Sequence, residues 1–490
     1  MKRIFGFYFA SLLFALMRAD AADINVDFSK VTGRIRPELH SSGCAPRLYP
    51  RAIRNDDLDI KAMGCYATRT HDWALWNCGQ RIVDTHFIFP LMHLDPKDPK
   101  NYYFKATDEV LKYSKNIDLK ILYRLGASIE HTGDVHFNVL DPEDHDKYAE
   151  VLAGIMRHYL KGWADGFYWA DVFQGWEIWN EPDGTTNCYV IPECKEKDWL
   201  KRMDLHKPRF CNLFATVLKR LKSEFPDQQI GGPALIDARE PYFRTLLKAC
   251  KDKGVAPDFI SWHGYTSNPE SLIAPIAKMR ALLDEFGFTK TRMIIDEWHY
   301  LRNSNWDGVH GGVPVSYRRA HEGPSGLYNI DSAVFNVYVL SRFQDTVLDE
   351  AYWYGSNPLG NWGWLKENGT LNKCWYSMKL FGDFVKTAKT KVLVSVDGKK
   401  SKHVAAVAGL SSDGKRASLV VCDYQGGNDR LYVEIKGLDN IKNVSAVILD
   451  HTRDLSPFSI SFNDGILCLP RFDENSAAFL VTFECAEASK

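Results

Sequence analysis

Between residues 57 and 355 the chain alternates between two hydrophobic periods. Segments whose apolar positions recur every three to four residues, the spacing of a helix with one buried face, are separated by short apolar runs that finish in polar residues. The helical segments span 57–63, 106–115, 146–160, 209–224, 241–251, 271–286 and 332–343. The runs around them, 36–43, 65–72, 120–126, 173–179, 229–235, 258–265, 292–300 and 350–355, read as eight strands. A helix between each pair of strands demands parallel pairing through crossovers. Eight such units close into a (β/α)8 TIM barrel. Near Lys389 the period changes to two: 392–396, 403–408, 417–421 and 430–435 are short strands set off by turn pairs such as Asp413-Gly414 and Asp464-Gly465, which predicts a C-terminal β-sandwich. The expected organisation is a leader at 1–21, an α/β barrel at 22–388 and a β-sandwich domain at 389–490. Whether the alternating strand 24–28 joins the sandwich is open at this point.

Composition narrows the function classes. The 61 Lys and Arg against 62 Asp and Glu leave no basic field for nucleic acid or an anionic membrane. Met1-Lys2-Arg3, an apolar run from Ile4 to Met17 and Ala19-Asp20-Ala21 have the order of a secretory leader cleaved before Ala22. The run is short for a membrane span, so the expectation is an exported chain, periplasmic or extracellular, with no membrane anchor. Eleven cysteines are an odd number, so at least one is free or pairs between chains. Cys188 with Cys194 and Cys65 with Cys78 are the candidate disulfides. No CxxC or HExxH spacing occurs, and neither metal nor another cofactor is expected. Oligomeric state is left open.

The run from Phe173 to Trp179 is largely apolar and aromatic, interrupted by Glu177, and it ends abruptly in Asn180-Glu181-Pro182. Proline cannot donate to a ladder, so pairing stops there. Asn180 and Glu181 therefore lie at the C-terminal end of a buried strand, where barrels bind their ligands. Packing against Trp176 and Trp179 would desolvate Glu181 and raise its pKa toward that of a general acid; the bland alternative is an N-cap or a surface ion pair. A second acid closes the seventh strand, in Asp296-Glu297-Trp298. In a closed barrel, Glu181 on the fourth strand and Glu297 on the seventh face one cavity. Two carboxylates across a tryptophan-lined cleft are what glycoside hydrolysis requires, one protonating the leaving oxygen while the other attacks or activates water.

Trp179-Asn180-Glu181-Pro182-Asp183, with Glu297 on the seventh strand, resembles the large clan of retaining glycosidases on TIM barrels. Within it the chain is most similar to glycoside hydrolase family 39, which holds β-xylosidases and α-L-iduronidases. The resemblance extends to Arg36-Pro37-Glu38-Leu39-His40-Ser41-Ser42-Gly43-Cys44-Ala45-Pro46, Arg69-Thr70-His71, Gly231-Gly232-Pro233, and Asp258-Phe259-Ile260-Ser261-Trp262-His263. It implies Glu181 as acid/base, Glu297 as nucleophile and Asn180 on the sugar 2-hydroxyl. It also implies a sugar site lined by His71, Arg69, His263, Tyr265 and Trp353, with Tyr265 orienting the nucleophile. A core histidine bonded to backbone is the alternative for His263, and a buried ion-pair partner for Arg69. Two positions depart from the family: Arg124 stands where a glutamate is usual, and Trp298-His299 where Trp-Asn is frequent. Arg124 in the cleft would bind a uronate or sulfate; paired with a buried acid it would bind neither. Three functions follow as candidates: an exported retaining glycosidase acting on a carbohydrate substrate, a non-catalytic carbohydrate-binding protein on the same barrel, or an adhesion module confined to the sandwich.

Overall fold

The computed structural model describes residues 23–43, 56–71, 82–129, 138–184, 188–304, 306, 323, 326–355, 362–366, 369–397, 403–470 and 476–485. The leader, Cys44, Cys78 and most of the loop at 302–326 lie outside these residues. Two compact units divide the chain: one runs from Arg36 to Asp383, the other joins the chain before Arg36 to the chain after Asp383. After β1 (Ile24–Arg34) come the strands of the first unit: β2 (Ser41–Ser42), β3 (Ala67–Arg69), β4 (Lys120–Leu125), β5 (Phe173–Ile178), β6 (Ile230–Leu235), β7 (Phe259–Thr266), β8 (Arg292–Tyr300) and β9 (Glu350–Trp353). They pair in chain order, all parallel, and β9 pairs with β2 to close the barrel. Ala67, Leu122, Phe259, Ile294 and Tyr352, from five strands around the ring, pack together inside it.

The barrel helices fall where the apolar period places them, with two differences. The helix before β6 begins at Trp199, well ahead of residue 209, and runs to Glu224. Asp198 caps it by accepting from the Lys201 N–H at 3.0 Å. Pro208 lies inside without ending it, and His206 and Phe210, two residues away on either side, both pack against Tyr189. A further helix, Lys373–Thr387, follows β9 and was not expected; its buried Cys374, Met378, Phe381 and Val385 do carry the helical spacing.

The second unit is one ten-stranded sheet. Its C-terminal strands are β10 (Thr390–Val396), β11 (Val404–Leu410), β12 (Arg416–Asp423), β13 (Arg430–Lys436), β14 (Ile441–Leu449), β15 (Asp454–Pro457), β16 (Ser461–Asn463), β17 (Ile466–Pro470) and β18 (Ala477–Cys485). They run in the order β15-β14-β18-β12-β11-β10-β1-β13-β17-β16. Only the β1–β13 pair is parallel. The sheet curls so that its ends face each other: Phe462 of β16 meets Phe483 of β18 at 5.7 Å, and Phe28 of β1 meets the same ring at 6.1 Å. The layers of the expected sandwich are thus two parts of a continuous sheet. The boundaries drawn at 22 and 389 also shift, since β1 belongs to this unit. Its alternating Ile24, Val26 and Phe28 are buried in the sheet core, and the hydrogen bonds of β10 and β13 satisfy both of its edges.

Candidate active site

Two strands that feed the site leave regular backbone where they reach it. Beyond β5, Trp179 and Glu181 sit at φ of 77° and 47°, conformations that cost a non-glycine residue on the order of 1 kcal/mol or more. The turn is held by bonds from the Trp179 N–H to the Leu125 carbonyl (2.8 Å) and from the Glu181 N–H to the Ala234 carbonyl (2.9 Å). On β8 the ladder pairs Ile295 with Trp262 and then Glu297 with His263, so Asp296 is an extra residue. Neighbours in a regular strand point to opposite faces. The bulge instead turns both Asp296 and Glu297 inward, and both reach Arg69.

Arg69, fully buried on β3, joins the acids. Its Nε donates to Glu177 Oε2 at 2.6 Å, its Nη1 to Glu297 Oε1 at 2.7 Å and its Nη2 to Asn180 Oδ1 at 2.9 Å; Nη2 also lies 3.1 Å from Asp296 Oδ2. His263 forms a second bridge. Nδ1 is 2.8 Å from Glu181 Oε1 and 3.4 Å from Glu297 Oε2, while Nε2 is 3.4 Å from Asp296 Oδ2. Tyr265 donates to Glu297 Oε2 at 2.6 Å, and His71 Nε2 lies 3.6 Å from Glu297 Oε1. Below them Ser261 donates to Glu177 Oε1 at 2.6 Å.

Four carboxylates with two cations among them cannot all ionise independently. Burial raises Glu177, against the pull of Arg69, and Asp296 beside it adds to the rise. Burial likewise raises Glu297 to about 7, with His263 and Arg69 opposing and Glu181 reinforcing. Burial would raise Asp296 too, but Arg69 and His263 outweigh it, and its pKa falls below the usual range. For His263, burial favours the neutral ring; Glu297, Asp296 and Glu181 overcome this and lift it well above its ordinary value.

Most of the residues expected from sequence converge here: Glu181, Glu297, Asn180, His71, Arg69, His263 and Tyr265 form one connected network. Asn180 is buried and its Nδ2 has no hydrogen-bond partner. Trp353 is different. It is fully buried, with its ring stacked on His299 at 5.4 Å, so no face is open to a sugar. Trp176 and Trp179 do not enclose Glu181: Trp176 packs on Tyr123 and Phe173, and Trp179 on Tyr148, Tyr189 and Phe210. The Glu181 side chain is 16% exposed against 6% for Glu297, so the more strongly desolvated glutamate is the one on β8.

The expected Cys188–Cys194 disulfide is not formed. Cys194 is a free thiol, and Cys188 Sγ instead donates to Glu181 Oε2 at 3.6 Å. Arg124, fully buried, pairs with Asp84, whose other oxygen accepts from Ser128 Oγ at 2.8 Å; the acid-pair alternative is the one found. Sequence reasoning missed Asp296, Glu177 as an Arg69 partner, and an aromatic group around Tyr265. The rings of Trp306, Trp362 and Tyr354 lie 5.0, 5.3 and 5.9 Å from it. Glu181, His263 and Glu297 offer donor atoms within 4.8 Å of one another, the one such group among the described residues. Arg69 and Tyr265 already bond both Glu297 oxygens, which makes this a protein ion-pair network.

A parallel eight-stranded barrel carrying one glutamate just beyond its fourth strand and another on its seventh has the layout of the barrel glycosidases. Solved structures of that class share the fold. A glucosidase from Croceicoccus marinus superposes with a TM-score of 0.72 at 19% identity, over 95% of this chain and 100% of that one. A GH51 α-L-arabinofuranosidase from Thermotoga petrophila RKU-1 gives 0.62 at 15% identity, over 94% and 100%. The sequence is more specific: residues 24–305 match the model for glycosyl hydrolases family 39, and the chain belongs to that family. A β-xylosidase from Geobacillus stearothermophilus is 24% identical over 182 residues, 33% of this chain and 32% of that enzyme; the match spans about a third of the relative's length.

Removing Arg69 would leave buried acids without their counter-charge. Arg69→Met is expected to destabilise the barrel by about 3–5 kcal/mol, the range for breaking a buried ion pair on one side. Denaturant unfolding of the full chain, followed by tryptophan fluorescence, measures it.

Proposed function

We propose that the protein is an exported retaining glycoside hydrolase of β-xylosidase type, cleaving a neutral glycone from oligo- or polysaccharides by double displacement. The observation that carries this reading is the facing of Glu181 and Glu297, whose nearest oxygens lie within 4.8 Å across His263. Retaining enzymes hold their carboxyl groups roughly 5–5.5 Å apart; inverting enzymes need about 6.5–9.5 Å to admit a water. Glu181, the more open of the two, protonates the leaving oxygen. Glu297, held by Arg69 and Tyr265, attacks the anomeric carbon and forms a glycosyl-enzyme. Glu181, now a carboxylate, then takes a proton from the water that releases the sugar. Asn180 Nδ2 is placed to bond the 2-hydroxyl, a contact that tightens in the transition state. A neutral glycone is favoured because Arg69 is fully engaged by acids and Arg124 is buried against Asp84.

Glu297→Ala is expected to lower turnover of aryl β-xylosides by about 10⁴-fold or more while binding persists. Glu181→Ala should spare substrates with good leaving groups and, with azide, give a glycosyl azide of retained configuration. A panel of β-xyloside, β-galactoside, β-glucoside, α-L-arabinoside and α-L-iduronide names the glycone; an inverted azide product rejects the assigned roles. Since burial raises Glu297, the nucleophile is protonated and idle below its pKa. kcat/KM should therefore climb with pH through an acid limb near 7. The Tyr265 hydrogen bond lowers that pKa, so Tyr265→Phe should move the limb to higher pH. Export rests on the leader-like segment before Ala22, and N-terminal sequencing of the exported chain should read from Ala22.

A further inference from the structure

We infer that Asp296 is a positioning residue that acts through His263, holding the imidazole ring charged with its Nδ1–H directed at Glu181. The inference rests on the double-displacement reading and adds to it a residue that does not touch substrate. Three observations converge. The β8 bulge is what brings Asp296 inward; without it, the residue beside Glu297 would face the helices. The Asp296 carboxylate is buried, and neither oxygen accepts a geometrically sound hydrogen bond. Its polar contacts are two cations, Arg69 Nη2 at 3.1 Å and His263 Nε2 at 3.4 Å, and the Glu177 carboxyl, whose raised pKa lets it keep a proton toward Asp296. A buried acid without hydrogen bonds is costly unless opposite charge faces it. Arg69 is shared with Glu177 and Glu297, whereas on the Nε2 edge of His263 the acid is Asp296, Glu181 and Glu297 lying on the other edge.

The groups around His263 come from three strands. Glu181 beyond β5 and Glu297 on β8 face Nδ1, and Asp296 on β8 faces Nε2. One contact further lie Arg69 of β3, His71 just beyond it, Glu177 of β5 and Tyr265 of His263's own strand. With carboxylates on both edges, the ring carries a proton on each nitrogen and can donate from both. Its Nδ1–H then donates to the Glu181 carboxylate that forms when the leaving oxygen takes the proton. It also lies between the Glu181 and Glu297 charges and screens their repulsion. A neutral ring would have one N–H to share between Asp296 and Glu181.

Titration of histidine side chains by ¹⁵N NMR on the full chain tests this directly, with His263 assigned by the signals lost in His263→Asn. His263 should stay doubly protonated well above its ordinary value of 6.5. In Asp296→Asn its protonation equilibrium should move at least tenfold toward the neutral ring. The same variant should lose about tenfold or more in kcat on a glycoside with a poor leaving group, and little on one whose leaving group needs no proton. An equal loss on both would show that Asp296 only supports the fold. If wild-type His263 titrates at or below its ordinary value, or if Asp296→Asn leaves its titration unmoved, the inference is wrong. The wild-type titration decides even if Asp296→Asn does not fold. A chain inactive on every glycoside but with His263 charged would count against the proposed function and still support the Asp296–His263 pairing.

Discussion

One buried guanidinium sets the conditions for everything around it. Arg69 reaches three acids and an amide, from β5 and β8, on the floor of the cavity. No aliphatic side chain could stand in its place without leaving several carboxylates unpaired in low dielectric. Lysine would bring the charge but only a point of it; the planar fork lets Nε, Nη1 and Nη2 engage separate partners in fixed directions. In return the acids position the guanidinium, and the network fixes Asn180 with its oxygen toward Arg69, leaving its buried Nδ2 without a partner. The orientation of Asn180 is therefore set by Arg69 and the acids that hold it.

The backbone supplies what charge alone cannot. A barrel strand offers every second residue to its interior, which would allow Glu297 inward or Asp296 inward, not both. The bulge resolves this at the cost of a broken ladder on either side of Asp296. On β5 the same end is reached through strain, with two non-glycine residues at positive φ held by carbonyls of β4 and β6. Such departures are tolerated because the surrounding barrel over-determines them. The turn at Trp179–Glu181 lies just past the end of β5, and the bulge lies inside β8, with paired residues on both sides of it.

Much of the barrel was legible in the sequence because burial there is periodic. Alternating helix and strand periods located seven helices and eight strands, and the proline after Glu181 located the end of the fourth. What was not legible depends on how neighbours in space compete. Glu177 looked like an interruption of an apolar strand, because its partners Arg69 and Ser261 lie 108 and 84 residues away. The bulge at Asp296 leaves no mark in the residues themselves, since it is a property of pairing with β7. Trp176 and Trp179 were placed beside Glu181 by adjacency in sequence, yet alternation and the turn send both rings out to the helices. The alternation of β1 marks a strand but not its sheet, which the sequence leaves open; its partners are β10 and β13, after Lys389.

The same charge accounting bears on what the cavity can accept. Its two central cations are already outnumbered by acids, and Arg124, which in an open cleft would invite a uronate, is sealed against Asp84 and has no exposed surface. A substrate carboxylate entering beside Glu181 and Glu297 would add a further negative charge to a site that must already withhold protons from ionising. A neutral ring adds none. Under the proposed function it would meet the aromatic group at Tyr265, Trp306, Trp362 and Tyr354, and Asn180 would supply a donor for its hydroxyls. Recognition by stacking and hydrogen bonding leaves the proton balance between the two glutamates intact, and that balance is what the proposed chemistry consumes and restores in each cycle.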